Sequence, residues 1–151
     1  MKGISGVEIL ERERVEDKLP QYILIHRNVD VDAIVSAFIY NKVVCKQTAH
    51  ILTEEYFDEI PEGSRIAILD MPISDGLAEK IAEKKLTVID HYDHHEGEYK
   101  NYPSTAAILA EKLELEPWMK ILVELANFCD TGQQLKLCDE AKLFHLSGFI
   151  N

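Results

Sequence analysis

Between residues 22 and 89, four short apolar runs punctuate the chain: YILI (22–25), HIL (50–52), RIAIL (65–69) and LTVI (86–89). Each has the length of a β-strand. None alternates strictly between apolar and polar, which is the pattern of strands covered on both faces. The intervening segments place apolar residues at helical spacing instead. AIVSAFIYNKVV (33–44) follows the first run, and GLAEKIAEKK (76–85) follows the third, with Ser74 or Asp75 placed to cap it. Strands alternating with helices predict βαβ units, and so an α/β fold with a Rossmann-like parallel sheet flanked by helices. Past residue 104 the pattern turns helical. TAAILAEKLEL (105–115) starts after Ser104 or Thr105 as cap, and EPWMKILVELANFC (116–129) carries Pro117 in its first turn. A last helix is expected over 139–148. No repeat or linker divides the chain, so one domain over 1–151 is expected, with 1–21 as a charged N-terminal extension.

Composition narrows the class. The 151 residues are 46% hydrophobic and 28% charged, ordinary for a globular domain with a sizeable core. The apolar runs fall far short of the roughly 20 residues of a membrane span, so no membrane association is expected. MKGISGVEILERERVEDK lacks the apolar centre of a signal peptide, so a cytoplasmic location is expected. Cys45, Cys129 and Cys138 are an odd count without framework spacing, which favours reduced thiols. A zinc site from Cys129, Cys138 and His145 would lack the usual close cysteine pair. The net charge of −11, with no basic cluster, removes the cations that a grip on long nucleic acid needs. It leaves room for a small phosphorylated substrate, because bound divalent ions supply positive charge locally.

The candidate chemistry follows the strands. YILI is followed by His26, Asp30 and Asp32, RIAIL by Asp70, and LTVI by Asp90, His91, Tyr92, Asp93, His94 and His95. Ligands of open α/β sheets bind beyond the carboxyl ends of strands, so three sets of metal-type side chains would converge on one edge. Carboxylates with imidazoles suit a hard or borderline divalent ion, manganese or magnesium before zinc or iron. The donors are too many for one ion. Two ions about 3.5–4 Å apart, bridged by a carboxylate, would use them.

HRNVDVDAIVSA resembles the first motif of the DHH phosphoesterase superfamily, roughly His-x-Asn-Pro-Asp-x-Asp-Ala-x-Gly-Ser, with Val29 and Val35 replacing its proline and glycine. ILDMP is similar to the second motif through Asp70, VIDHYDHHEG to the third, and FCDTGQQ (128–134) to the fourth; STAAILAEKL resembles the helix start between the last two. The resemblance implies two divalent ions, manganese first and magnesium as the alternative. It assigns His26, Asp30 and Asp70 to one ion, and Asp32, Asp70, His91 and Asp130 to the other, with Asp70 as the bridge. It also implies hydrolysis of a small phosphoester or phosphoanhydride (a short oligonucleotide, dinucleotide, nucleotide or pyrophosphate) by a metal-activated water. Arg27, Asn28, Tyr92, His94 and His95 would contact substrate. Asp90 would orient His91 through its second ring nitrogen, and His94 or His95 would stabilise charge on the phosphate.

Two departures from the family pattern stand out. Asp90-His91 is followed by Tyr92 rather than a second histidine, and a full Asp-His-His triplet appears three residues later. In one register the strand ends at Ile89, His91 is the ligand and Tyr92 takes the place of a phosphate-contacting histidine. In the other, the strand runs longer or the loop bulges, and Asp93-His94-His95 is the functional triplet. A ligand at a strand end is better fixed than one within a loop, which favours the first. The second departure is length. Relatives carry a C-terminal substrate-binding domain, whereas this chain continues only to Asn151 after Gly132. A second subunit or a partner protein is then expected to cover the open cleft. The alternative function is a non-catalytic DHH-fold module for binding or assembly, with or without metal. His50 and His145 lie outside the motifs and read as structural.

Overall fold

The computed structural model describes residues 18–131. Strands β1 (Tyr22–Ile25), β2 (His50–Thr53), β3 (Arg65–Leu69) and β4 (Thr87–Tyr92) form one sheet in the order β2-β1-β3-β4. All neighbours are parallel. Helices α1 (Val31–Val43), α2 (Asp75–Glu83), α3 (Thr105–Lys112) and α4 (Pro117–Asp130) flank it, with 3-10 turns at Glu54–Glu59 and Gly97–Tyr99. This is the expected α/β arrangement.

Alternate residues of the central strands go to opposite faces. Ile23, Ile25, Ala67 and Leu69 pack with Ile39 and Tyr40 of α1, Leu109 of α3, and Met119 and Val123 of α4. Leu24, Ile66 and Ile68 pack on the other side with Phe57, Ile60, Leu77 and Leu86. Both faces of β1 and β3 are therefore dry, which is why their sequences read as unbroken apolar runs. Each fully buried Ile or Leu contributes about 1.5–3 kcal/mol of burial.

The helix starts follow local capping. The Asp30 carboxylate accepts from the Ala33 N–H, so α1 begins at Val31, two residues before its apolar pattern. Ser74 and Ser104 cap α2 and α3 in the same way. Helix α3, expected to reach residue 115, ends at Lys112 because Leu113 turns extended. Pro117 then opens α4 and disfavours helical backbone at Glu116. The last helix expected over 139–148, and nearly all of the charged extension, lie outside the described residues.

Strand β4 departs most from expectation. It runs to Tyr92, three residues past Ile89. Its pairing with β3 also slips: Ile66 faces Val88, but Ala67 faces Asp90, leaving Ile89 as an extra residue. This β-bulge exchanges the two faces for everything after it. Asp90 and Tyr92, opposite Ala67 and Leu69, turn toward α1. His91, opposite Ile68, turns to the face that carries α2.

Candidate metal centre

Because the sheet is parallel, β1, β3 and β4 end on one edge and deliver His26, Asp70 and Asp93-His94-His95 there. Helices complete the cluster. Helix α1 brings Asp30 and Asp32 at its start, α3 brings Thr105 at its start, and α4 brings Asp130 at its end.

Asp70 lies at the centre. It leaves β3 with φ +61°, in the left-handed region, while its N–H still donates to the Tyr92 carbonyl at 2.8 Å. Aspartate tolerates that conformation better than most residues, and the turn places its carboxylate between two groups of donors. Oδ2 lies 3.1 Å from His26 Nε2. Oδ1 accepts from Thr105 Oγ1 at 2.9 Å and lies 3.7 Å from His94 Nε2 and 4.0 Å from His95 Nδ1. Two sets of potential ligand atoms result, each within 4.8 Å of one another: His26, Asp30 and Asp70; and Asp70, His94, His95 and Asp130. Asp70 belongs to both.

The electrostatics are those of carboxylates gathered out of water. Burial, the adjacent Asp32 and the charge on Asp30 push the Asp70 carboxyl up to about 10. Burial also raises Asp32, against the donors that it accepts. Burial works to raise Asp130 as well, but His94, Asp32 and His95 hold it below the usual carboxylate range. The Asp130 carboxylate raises the His94 imidazole, against burial.

His94 is the most telling side chain. Its Nδ1 lies 3.2 Å from the Tyr102 carbonyl, which can only accept, so that nitrogen carries a proton. Its Nε2 is buried, has no hydrogen-bond partner, and sits 2.5 Å from Asp130 Oδ2 and 3.5 Å from Asp32 Oδ2. Enclosed by carboxylate oxygens, this ring nitrogen is placed to share a cation with them. The donor set of two imidazoles and two carboxylates fits a divalent metal.

The DHH family, N-terminal domain, matches over residues 21–142, most of the chain. The chain belongs to the DHH family. No curated protein and no solved structure matches it. The family is one of metal-dependent phosphoesterases, and every sequence motif read above within the described residues falls in the matched segment.

Within this DHH domain, the structure brings the Asp93-His94-His95 triplet of the third motif, rather than His91, to the donor cluster. His91, expected as a ligand, is exposed on the α2 face with Nε2 2.9 Å from the Met71 carbonyl. The bulge at Ile89 is the reason. For the same reason Asp90 does not orient His91. It accepts from Tyr40 of α1 at 2.5 Å, and burial with the Asp90 charge raises the Tyr40 phenol far above its ordinary value. Tyr92 packs against the core and edge-on against Tyr99, 5.8 Å between ring centres. Asp93, buried, instead lies with Oδ1 2.5 Å from His95 Nδ1.

Asp32 lies at the base of the cluster, with Oδ2 3.5 Å from His94 Nε2. It is fully buried and accepts from the Thr105 and Ala106 N–H groups, both at 2.9 Å, and from Ser36 Oγ at 3.2 Å. It thus fastens the start of α3 to α1, where the helix dipole favours an anion. Arg27 and Asn28 are exposed on the loop between β1 and α1. Sequence reasoning gave Thr105 and Tyr102 no part in the site. The Ser104-Thr105 helix start was a cap signal for the first; Tyr102 acts through its backbone carbonyl, which no residue type advertises.

Proposed function

We propose that the protein is a hydrolase of small phosphoesters or phosphoanhydrides that works with two divalent ions, manganese first and magnesium as the alternative. His26, Asp30 and Asp70 would hold one ion, and Asp70, His94 and Asp130 the other, with His95 at its mouth. The observation that carries this reading is the Asp70 carboxylate, one oxygen turned to each donor set. When bound, such ions supply positive charge for phosphate and lower the pKa of a coordinated water.

The chain's own residues do the rest. The Tyr102 carbonyl keeps the His94 proton on Nδ1 and leaves Nε2 as the donor atom. Thr105 Oγ1 fixes the rotamer of Asp70. His95 has half of its side chain exposed at the mouth of the site and is oriented by Asp93. We assign it the phosphate contact and the proton for the leaving oxygen. Arg27 and Asn28, exposed on the loop that follows His26, would meet the rest of the substrate. The acidity of the chain supports a short substrate over a long nucleic acid.

Calorimetric titration of manganese into the metal-free chain tests the reading. Two ions per chain are expected, falling to one or none in Asp70→Asn, together with metal-dependent hydrolysis of short oligonucleotides, dinucleotides or pyrophosphate. Two bound ions with no turnover on any of these would leave a metal-binding assembly module. No bound ion would discard the metal centre.

A further inference from the structure

Helices α1 and α4, which carry Asp30 and Asp130 at their ends, also share an apolar face turned outward. On α4, Trp118, Ile121 and Phe128 are exposed, Ile121 to 66%, and Leu125 is half-buried. Their spacing of three, four and three residues forms one stripe along the helix. It is separate from the stripe of Met119, Val123 and Ala126 that α4 turns to the core. Exposed Ile34 and Phe38 of α1 extend the face, with Phe38 edge-on to Trp118 at 5.9 Å between ring centres. Lys42 sits 5.6 Å over the same indole. A helix with two apolar stripes has one more packing partner than the described residues provide.

We propose that this face docks a second copy of the chain, α4 against α4, antiparallel about a two-fold axis near Val123. The stripe is its own complement in that arrangement. Trp118 and Phe128 lie equally far from Val123, as do Ile121 and Leu125. Reversal therefore sets aromatic against aromatic and aliphatic against aliphatic, as an isologous interface demands. The charged flank agrees. Lys120 and Glu124 are both exposed on one side of the stripe, and reversal brings Lys120 within reach of the partner's Glu124, twice per dimer. An acidic chain needs such matched charge to associate with itself. A partner unrelated in sequence would have no cause to match a pattern symmetric about one residue.

Sedimentation of the full chain from low micromolar concentration upward tests this. A dimer is expected, weakened at least about tenfold in Ile121→Glu. Lys120→Glu and Glu124→Lys should each weaken it, and the double variant should recover it. All these positions are exposed, so each monomer should keep the parent's melting profile at low concentration. A monomer at every concentration overturns the proposal, including one in which hydrogen exchange shows α4 already covered by other parts of the chain. So does a dimer indifferent to Ile121→Glu, or a double variant no better than its parents.

Discussion

At the scale of single residues, His91 and His94 carry opposite predictions. They lie in one hexapeptide and differ only in the face to which the backbone turns them. His94→Ala should abolish most of the rise in melting temperature caused by manganese. His91→Ala removes one hydrogen bond to Met71 and should cost about 1 kcal/mol while leaving that rise intact. Equal responses in thermal scans with and without manganese would contradict the assignment. Titration gives a second prediction. In the metal-free chain Asp70 is raised to about 10 from 3.8, so between those values the folded state holds a proton that the unfolded state has lost. That stability is complete below the unfolded value and is lost as pH rises toward the folded one. His94, also raised, acts with the same sign above its ordinary value. The metal-free chain should therefore lose stability from pH 6 to pH 9, and manganese uptake should release protons and tighten over that range. Denaturant unfolding and calorimetry in buffers of different ionisation enthalpy read both effects; a metal-free chain gaining stability with pH would contradict the buried acid pair.

At the scale of elements, the site depends on helix ends and on one irregular strand. Asp32 joins α1 to α3 by accepting two backbone N–H groups of the α3 first turn. Asp32→Asn keeps the shape but sets an amide donor against those donors. It should cost about 2–3 kcal/mol even without metal, seen as a lower denaturation midpoint at an unchanged slope. A change below about 0.5 kcal/mol would mean that α3 is held by packing alone. The bulge at Ile89 sets the register of all that follows in β4, and the Tyr40–Asp90 hydrogen bond holds Asp90 to the α1 face.

At the scale of the molecule, the candidate metal centre gathers residues from three strand ends and three helices, so metal uptake is expected to be linked to folding. Manganese at a hundredfold excess over its Kd adds about 2.7 kcal/mol per site, which for a chain of this size raises Tm on the order of 10 °C. A chelator should reverse the rise in scanning calorimetry; a Tm indifferent to both would separate the cluster from folding. No helix among the described residues is long and apolar enough to cross a membrane. The sequence by itself determined the α/β class, the four strands to within a few residues except at the end of β4, and His26, Asp70 and Asp130 as meeting residues. Apolar runs, capping residues and family motifs are local signals, and they survive folding. Which of the two Asp-His pairs turns inward, what Asp32 holds and which face of α4 stays bare were decided only by tertiary structure. A single extra residue in a strand exchanges its faces, and that residue reveals itself only in the pairing with a neighbouring strand.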